Sequence, residues 1–307
     1  MRVYEGAGSI VWAVVRCGPR FDQIAAFGDK GVSVWNHDAN VPVQRRPAEH
    51  EARGDANLVV SPNGHWLVAY AHRSMWCWES RRDQWELRWQ TGGDNLFLAR
   101  FDTDTSDLLQ LDFEKVNNDA PGVVLSRRSL DNKLQAKKPV REVATPEDDR
   151  VSSAWLYRLN YYAADLSADG RSFFYSPHLW SMTGTGYVGE LKPRRGHNEA
   201  AFSPDGSFIA VDGGTTVYVY RTPTLELITT WRVKHTYGAK LAWSPDGRLL
   251  VRADASTTVR AFDVAAQTEV VARTARRQRG TAIAFSPDGL TLLVGTFGGN
   301  VVVWDTE

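Results

Sequence analysis

Phe202-Ser203-Pro204-Asp205-Gly206, Trp243-Ser244-Pro245-Asp246-Gly247 and Phe285-Ser286-Pro287-Asp288-Gly289 are three near-copies of one five-residue phrase. Val60-Ser61-Pro62-Asn63-Gly64 and Leu166-Ser167-Ala168-Asp169-Gly170 are looser copies. Cys17-Gly18-Pro19-Arg20 and Phe101-Asp102-Thr103-Asp104 are placed in the series by position. The middle residues fall at 19, 62, 103, 168, 204, 245 and 287, giving steps of 43, 41, 65, 36, 41 and 42. A fixed period of this size marks a repeat architecture. The phrase also has a turn mechanism. Proline pre-sets φ, Ser and Asp bond the nearby backbone, and Gly suits the fourth position of a type I turn. Each copy therefore predicts a tight link between two antiparallel strands.

The flanks agree. Apolar runs stand before each turn (281–285, 239–243) and after it (290–294, 249–251). After a Gly- or Asp-containing break comes a third run with an aromatic end: Val32-Ser33-Val34-Trp35, Thr216-Val217-Tyr218-Val219-Tyr220, Thr258-Val259-Arg260-Ala261-Phe262 and Val301-Val302-Val303-Trp304. A more polar fourth run follows, as at 225–231 and 269–272. Short β-branched and aromatic runs between turn residues read as strands. No helical period extends beyond two turns. Four strands per unit of about 40–45 residues is the blade of a β-propeller.

Turn, period and strand endings together resemble the WD40 family. Its Trp-Asp dipeptide stands at Trp304-Asp305, with degenerate forms at Trp35-Asn36, Trp78-Glu79 and Phe262-Asp263; its Gly-His pair stands at Gly196-His197. The resemblance covers essentially the whole chain. It implies an all-β, seven-bladed propeller of four-stranded antiparallel blades, one domain over 1–307. It also implies closure of the ring by an N-terminal strand, 2–5, pairing with 300–305. The family's His, Ser/Thr, Asp and Trp network is mostly broken: Tyr220 stands where the Trp partner of His197 would be, and Arg279-Gly280 precedes the repeat that ends in Trp304. Apolar packing must compensate, and twelve Trp make that feasible.

Composition narrows the function classes. Lys+Arg and Asp+Glu are both 36, for zero formal net charge, whereas a dedicated nucleic-acid binder carries a positive balance. Cys17 and Cys77 make no disulfide framework and read as buried packing residues in a reducing, cytoplasmic setting. The apolar stretch 10–15 is too short for a secretory core, and nothing approaches a membrane-spanning length. Asp205, Asp246 and Asp288 are explained by the turn rather than by acid–base chemistry. The seven histidines, 37, 50, 65, 72, 178, 197 and 235, show no metal-ligand spacing, and Gly184-Thr185-Gly186 is a lone glycine pair. No cofactor, metal or catalytic group is expected.

Two features remain. The step of 65 leaves a surplus between the third and fourth turns, and the charged stretch 131–150, with Lys137-Lys138, Arg141-Glu142 and Glu147-Asp148-Asp149-Arg150, reads as a long inter-blade connection. Dense aromatics follow it, at Trp155, Tyr157, Tyr161 and Tyr162. The second feature is a charge pattern. In WD40 propellers the connections from a fourth strand to the next first strand share the top face. Here three successive ones are basic: Arg194-Arg195 with His197, Lys234-His235, and Arg276-Arg277 with Arg279. They predict a basic arc, with Tyr237 and Phe297 as aromatic neighbours, for an acidic or phosphorylated protein segment. Plain solvated loops are the simpler alternative. The expectation is a monomeric, non-catalytic interaction platform. The competing readings are a propeller hydrolase or lactonase with a channel site, and a nucleic-acid backbone binder.

Overall fold

The structure is a computed structural model. It describes the chain except residues 40, 47–55, 72–73, 83, 93–95, 104–106, 117–119, 132–133, 140–162, 184–185, 193–198, 223, 235–237, 255–257, 275–278 and 307.

The repeated phrase forms the turn that its composition dictates. In blade five the Gly206 amide donates to the Ser203 carbonyl at 2.9 Å, closing the turn. The Ser203 hydroxyl donates to Asp205 Oδ1 at 2.6 Å and accepts from the Phe208 amide at 2.9 Å. Asp205 Oδ1 also accepts from the Ser207 amide. The same set recurs around Ser61/Asn63, Ser167/Asp169, Ser244/Asp246 and Ser286/Asp288. The fourth position lies in the left-handed region, with φ of +71° at Gly206 and +74° at Gly289, where a Cβ is disfavoured.

Each turn joins the first and second strands of a blade. The described residues form seven four-stranded antiparallel sheets, and in six of them the strands lie in chain order. Blade five shows the plan: Glu199–Phe202, Phe208–Asp212, Thr216–Arg221 and Glu226–Arg232. The inner strands are Val11–Cys17, Asn57–Val60, Leu96–Phe101, Ala164–Leu166, Glu199–Phe202, Lys240–Trp243 and Gly280–Phe285. Each touches the next, and the last touches the first, so the ring is closed.

Closure follows the expected route. Blade seven takes three strands from the C-terminal repeat, Gly280–Phe285, Thr291–Thr296 and Val301–Asp305, and its outer strand from Arg2–Tyr4. The register is Arg2 to Val303, Val3 to Val302 and Tyr4 to Val301. Tyr4 is buried, lies edge-on to Trp35 at 6.4 Å, and donates its hydroxyl to the His37 carbonyl at 2.7 Å. Trp35 Nε1 donates to the Glu5 carbonyl at 3.1 Å. The N-terminal strand is thus fastened to blade one as well as paired in blade seven.

Apolar side chains fill the spaces between neighbouring blades. One cluster joins Ala13, Phe27 and Val34 of blade one to Leu58, Trp76 and Trp78 of blade two. Another joins Val251 and Val259 of blade six to Val294 and Trp304 of blade seven. Such wedges of large side chains carry the stability that the degenerate polar network does not supply. Where the family pattern has Trp, Tyr220 donates its hydroxyl to the Lys192 carbonyl at 2.6 Å.

The stretch 131–150 departs from its reading as a connection. Leu134–Pro139 pairs with Ala120–Arg128 and is the outer strand of blade three. A fourth strand has one unpaired edge, so a charged sequence such as Lys137-Lys138 is tolerated there and hides the strand signal. Residues 140–150, and the aromatics at 155, 157, 161 and 162, lie outside the described residues.

Candidate binding surfaces

Connections from a fourth strand to the next first strand share a rim with those joining second and third strands. The Phe297 amide, between Thr291–Thr296 and Val301–Asp305, donates to the carbonyl of Arg279, just ahead of Gly280–Phe285. Likewise Ser9, just ahead of Val11–Cys17, donates its amide and hydroxyl to Asp29, both at 2.7 Å. Arg279 and Phe297 are both exposed, so an arginine and a phenylalanine occupy hydrogen-bonded backbone positions on this rim. Lys234 is exposed in the preceding inter-blade connection. The other arc residues, Arg194, Arg195, His197, His235, Tyr237, Arg276 and Arg277, lie outside the described residues.

Behind this rim, paired charges tie neighbouring blades together. Lys240 Nζ meets Glu199 Oε2 at 2.8 Å across blades five and six. Burial pushes the Glu199 carboxyl upward and the Lys240 ammonium opposes that shift. Arg252, fully buried in blade six, donates Nε to Asp212 Oδ2 of blade five at 2.7 Å, with Asp254 a further 3.7 Å contact. Arg100 reaches Asp165 at 3.4 Å across blades three and four. Burial raises Asp165 and Arg100 opposes it.

The opposite face carries a cleft of about 810 Å³ between blades one and seven. Its lining includes Arg16, Arg20, Phe21, Asp22, His37, Asp38, Asp288, Leu290, Thr291 and Asp305. Arg16 projects from an inner strand and is 5% exposed. Its Nη1 lies 3.5 Å from His37 Nδ1 and its Nη2 lies 3.5 Å from Thr291 Oγ1. Burial lowers the guanidinium pKa, and Tyr4 and Asp288 oppose that. The cleft is not apparent from the sequence, because its lining comes from both ends of the chain and Arg16 sits inside an apolar run. The one local sign is the turn 18–21, which departs from Ser-Pro-Asp-Gly.

The family model described as WD domain, G-beta repeat matches residues 281–305. Those residues hold the turn and the three C-terminal strands of blade seven. A matched repeat is set in a closed ring of seven four-stranded sheets, the arrangement of a WD40-type propeller. The chain is a seven-bladed β-propeller that carries a WD40 repeat. The other blades share the repeat's four-stranded antiparallel plan and differ from it at its signature positions, as Tyr220 and Phe262 illustrate. A comparison with curated proteins finds no match to the chain. WD40 propellers are generally protein-interaction scaffolds, and rigid loops on a closed ring suit that role.

Proposed function

We propose that the chain is a non-catalytic interaction platform whose arc-bearing rim captures an acidic or phosphorylated segment of a protein partner. The observation that carries this reading is the exposed Arg279 beside exposed Phe297, on a rim where successive inter-blade connections are basic in sequence. Guanidinium groups recognise carboxylate and phosphate through two parallel hydrogen bonds, and an adjacent ring adds apolar area. The closed ring fixes the blades between which these connections run, which lowers the ordering cost of binding. The internal pairs Lys240–Glu199 and Arg252–Asp212 neutralise the charges beneath, leaving the loop arginines to set the field at the surface.

Affinity capture from native lysate with wild type and with Arg194, Arg195, Arg276, Arg277 and Arg279 all replaced by Ala tests the proposal. The variant should melt like wild type and lose its partner, and phosphatase treatment of the lysate separates a phosphorylated segment from an acidic one. Undiminished capture by the variant rules the arc out.

A further inference from the structure

The floor of the cleft between blades one and seven holds a cation, Arg16, with no ion-pair partner among the described residues. Arg16 Nε is buried without a hydrogen-bond partner, and the two 3.5 Å contacts of its terminal nitrogens are at the limit of hydrogen bonding. Among the described residues no carboxylate lies in salt-bridge range of it; Asp288 acts only from further off. A buried charge without a partner is costly. The same fold satisfies its other deeply buried guanidinium with a direct partner, since Arg252 has Asp212 at 2.7 Å.

The wall beside Arg16 breaks the rule that the other turns follow. Gly18-Pro19-Arg20-Phe21 replaces Ser-Pro-Asp-Gly at three of four positions. The turn still closes, with the Phe21 amide donating to the Gly18 carbonyl at 2.8 Å. Phe21 therefore occupies the glycine position, at φ +53°, a conformation that bulky residues rarely adopt. Without the Ser hydroxyl and the Asp carboxylate the turn lacks the side-chain bonds of the other copies, and it presents an arginine and an aromatic ring to the cleft. Leu290, 53% exposed, adds a second apolar surface. Carboxylates outnumber cations along the rim: Asp22 is shared with Arg20 at 3.4 Å, Asp38 is shared with Arg2 at 3.6 Å, and Asp288 and Asp305 have no arginine within ion-pair range among the described residues. That surplus disfavours a dianion such as phosphate. It favours one carboxylate carried beside a positive charge.

We infer that this cleft binds the C-terminal carboxylate of a partner polypeptide. The carboxylate sits on Arg16, the last side chain is apolar and lies against Phe21 and Leu290, and a basic residue shortly before it faces Asp38 and Asp305. A chain end can enter the cleft and reach a floor that is 5% exposed, whereas an internal segment must lead two strands of backbone back out. This site lies on the face opposite the arc and stands whether or not the arc captures a partner.

The test is fluorescence polarisation with a labelled pool of hexapeptides ending Lys-Xaa-Leu, as free acid and as C-terminal amide. The free-acid pool should bind saturably. Amidation should weaken binding at least tenfold, Arg16→Gln should do the same, and Leu290→Asp, at the exposed mouth, should abolish binding without touching the core. The fivefold arc variant should bind like wild type. Arg16→Gln should melt at or above the wild-type temperature, because it removes a charge that the fold leaves uncompensated. Equal binding of acid and amide pools overturns the inference. So do tighter binding of an amidated pool with an internal Glu, the absence of saturable binding up to millimolar pool, and a sharp fall in the Arg16→Gln melting temperature.

Discussion

Replacing Tyr4 by Ala tests how far the ring depends on its first strand. The side chain is 1% exposed, packs with Val11, Ile24 and Trp35, and donates a hydroxyl bond at 2.7 Å. Truncating a buried aromatic costs about 3–5 kcal/mol, and a lost hydrogen bond about 1 kcal/mol. A chain of this size shifts by about 2 °C per kcal/mol, so Tyr4→Ala should melt about 8–12 °C lower. Tyr4→Phe keeps the ring and should lose only about 2 °C by the same conversion. Deleting residues 1–5 removes the outer strand of blade seven and the carbonyl that accepts from Trp35, so it should fall at least as far as Tyr4→Ala. It also bares the edge of Val301–Asp305, an invitation to pair with another chain. Circular dichroism melts at two scan rates and sedimentation velocity provide the readouts. A deletion variant that stays monomeric and melts within about 2 °C of wild type, on the scale just used, would refute the closure argument.

Three further outcomes follow from named contacts. Arg252→Ala strands buried Asp212 and should lower stability by about 3–5 kcal/mol in urea titration, while exchanging Arg252 and Asp212 together for apolar residues should recover most of it; equal losses in both variants would contradict the pairing. The hydroxyls of Ser244 and Ser286 hold Asp246 and Asp288 below the usual carboxylate range, so the stability they confer is present above about pH 4 and is lost as pH falls through that value toward their folded pKa. An Asp246→Asn, Asp288→Asn double variant, which copies the native Asn63 turn, should therefore show a shallower fall in melting temperature between about pH 5 and about pH 3, values bracketing that range; an unchanged slope would sink the assignment. Burial drives the thiols of Cys17 and Cys77 far upward, so neither should react with a disulfide reagent until denaturant is added; fast labelling of the native protein would place one of them at the surface.

Architecture is legible here because every blade reuses the same local physics. A Ser-Pro-Asp-Gly turn bonds only to itself and its two flanking strands, so five residues identify it wherever it falls, and its spacing measures out the ring. The N-terminal strand is legible through the resemblance to WD40 repeats, which implies that an N-terminal strand completes the last blade. Leu134–Pro139 is concealed because outer strands tolerate charge and lose the apolar alternation that marks inner ones. Arg16 is concealed by its surroundings, since a lone cation within Val11–Cys17 looks like an interruption of an apolar strand. Its significance depends on Thr291, Asp288 and Leu290, nearly the whole chain length away, which meet it only after the circle closes. The turns and the closing strand are readable from the chain; which side chains meet across the closure is not.

Because Arg2–Tyr4 runs antiparallel to Val301–Asp305, the two chain ends leave blade seven in neighbouring positions at the same end of the pair, Arg2 beside Val303. Tension applied between the ends therefore peels the three residue pairs one after another, as in opening a zipper, instead of shearing them together. The molecule combines a circle that resists heat as a unit with a seam that a small directional load can part, and anything tethered to both termini pulls on that seam first.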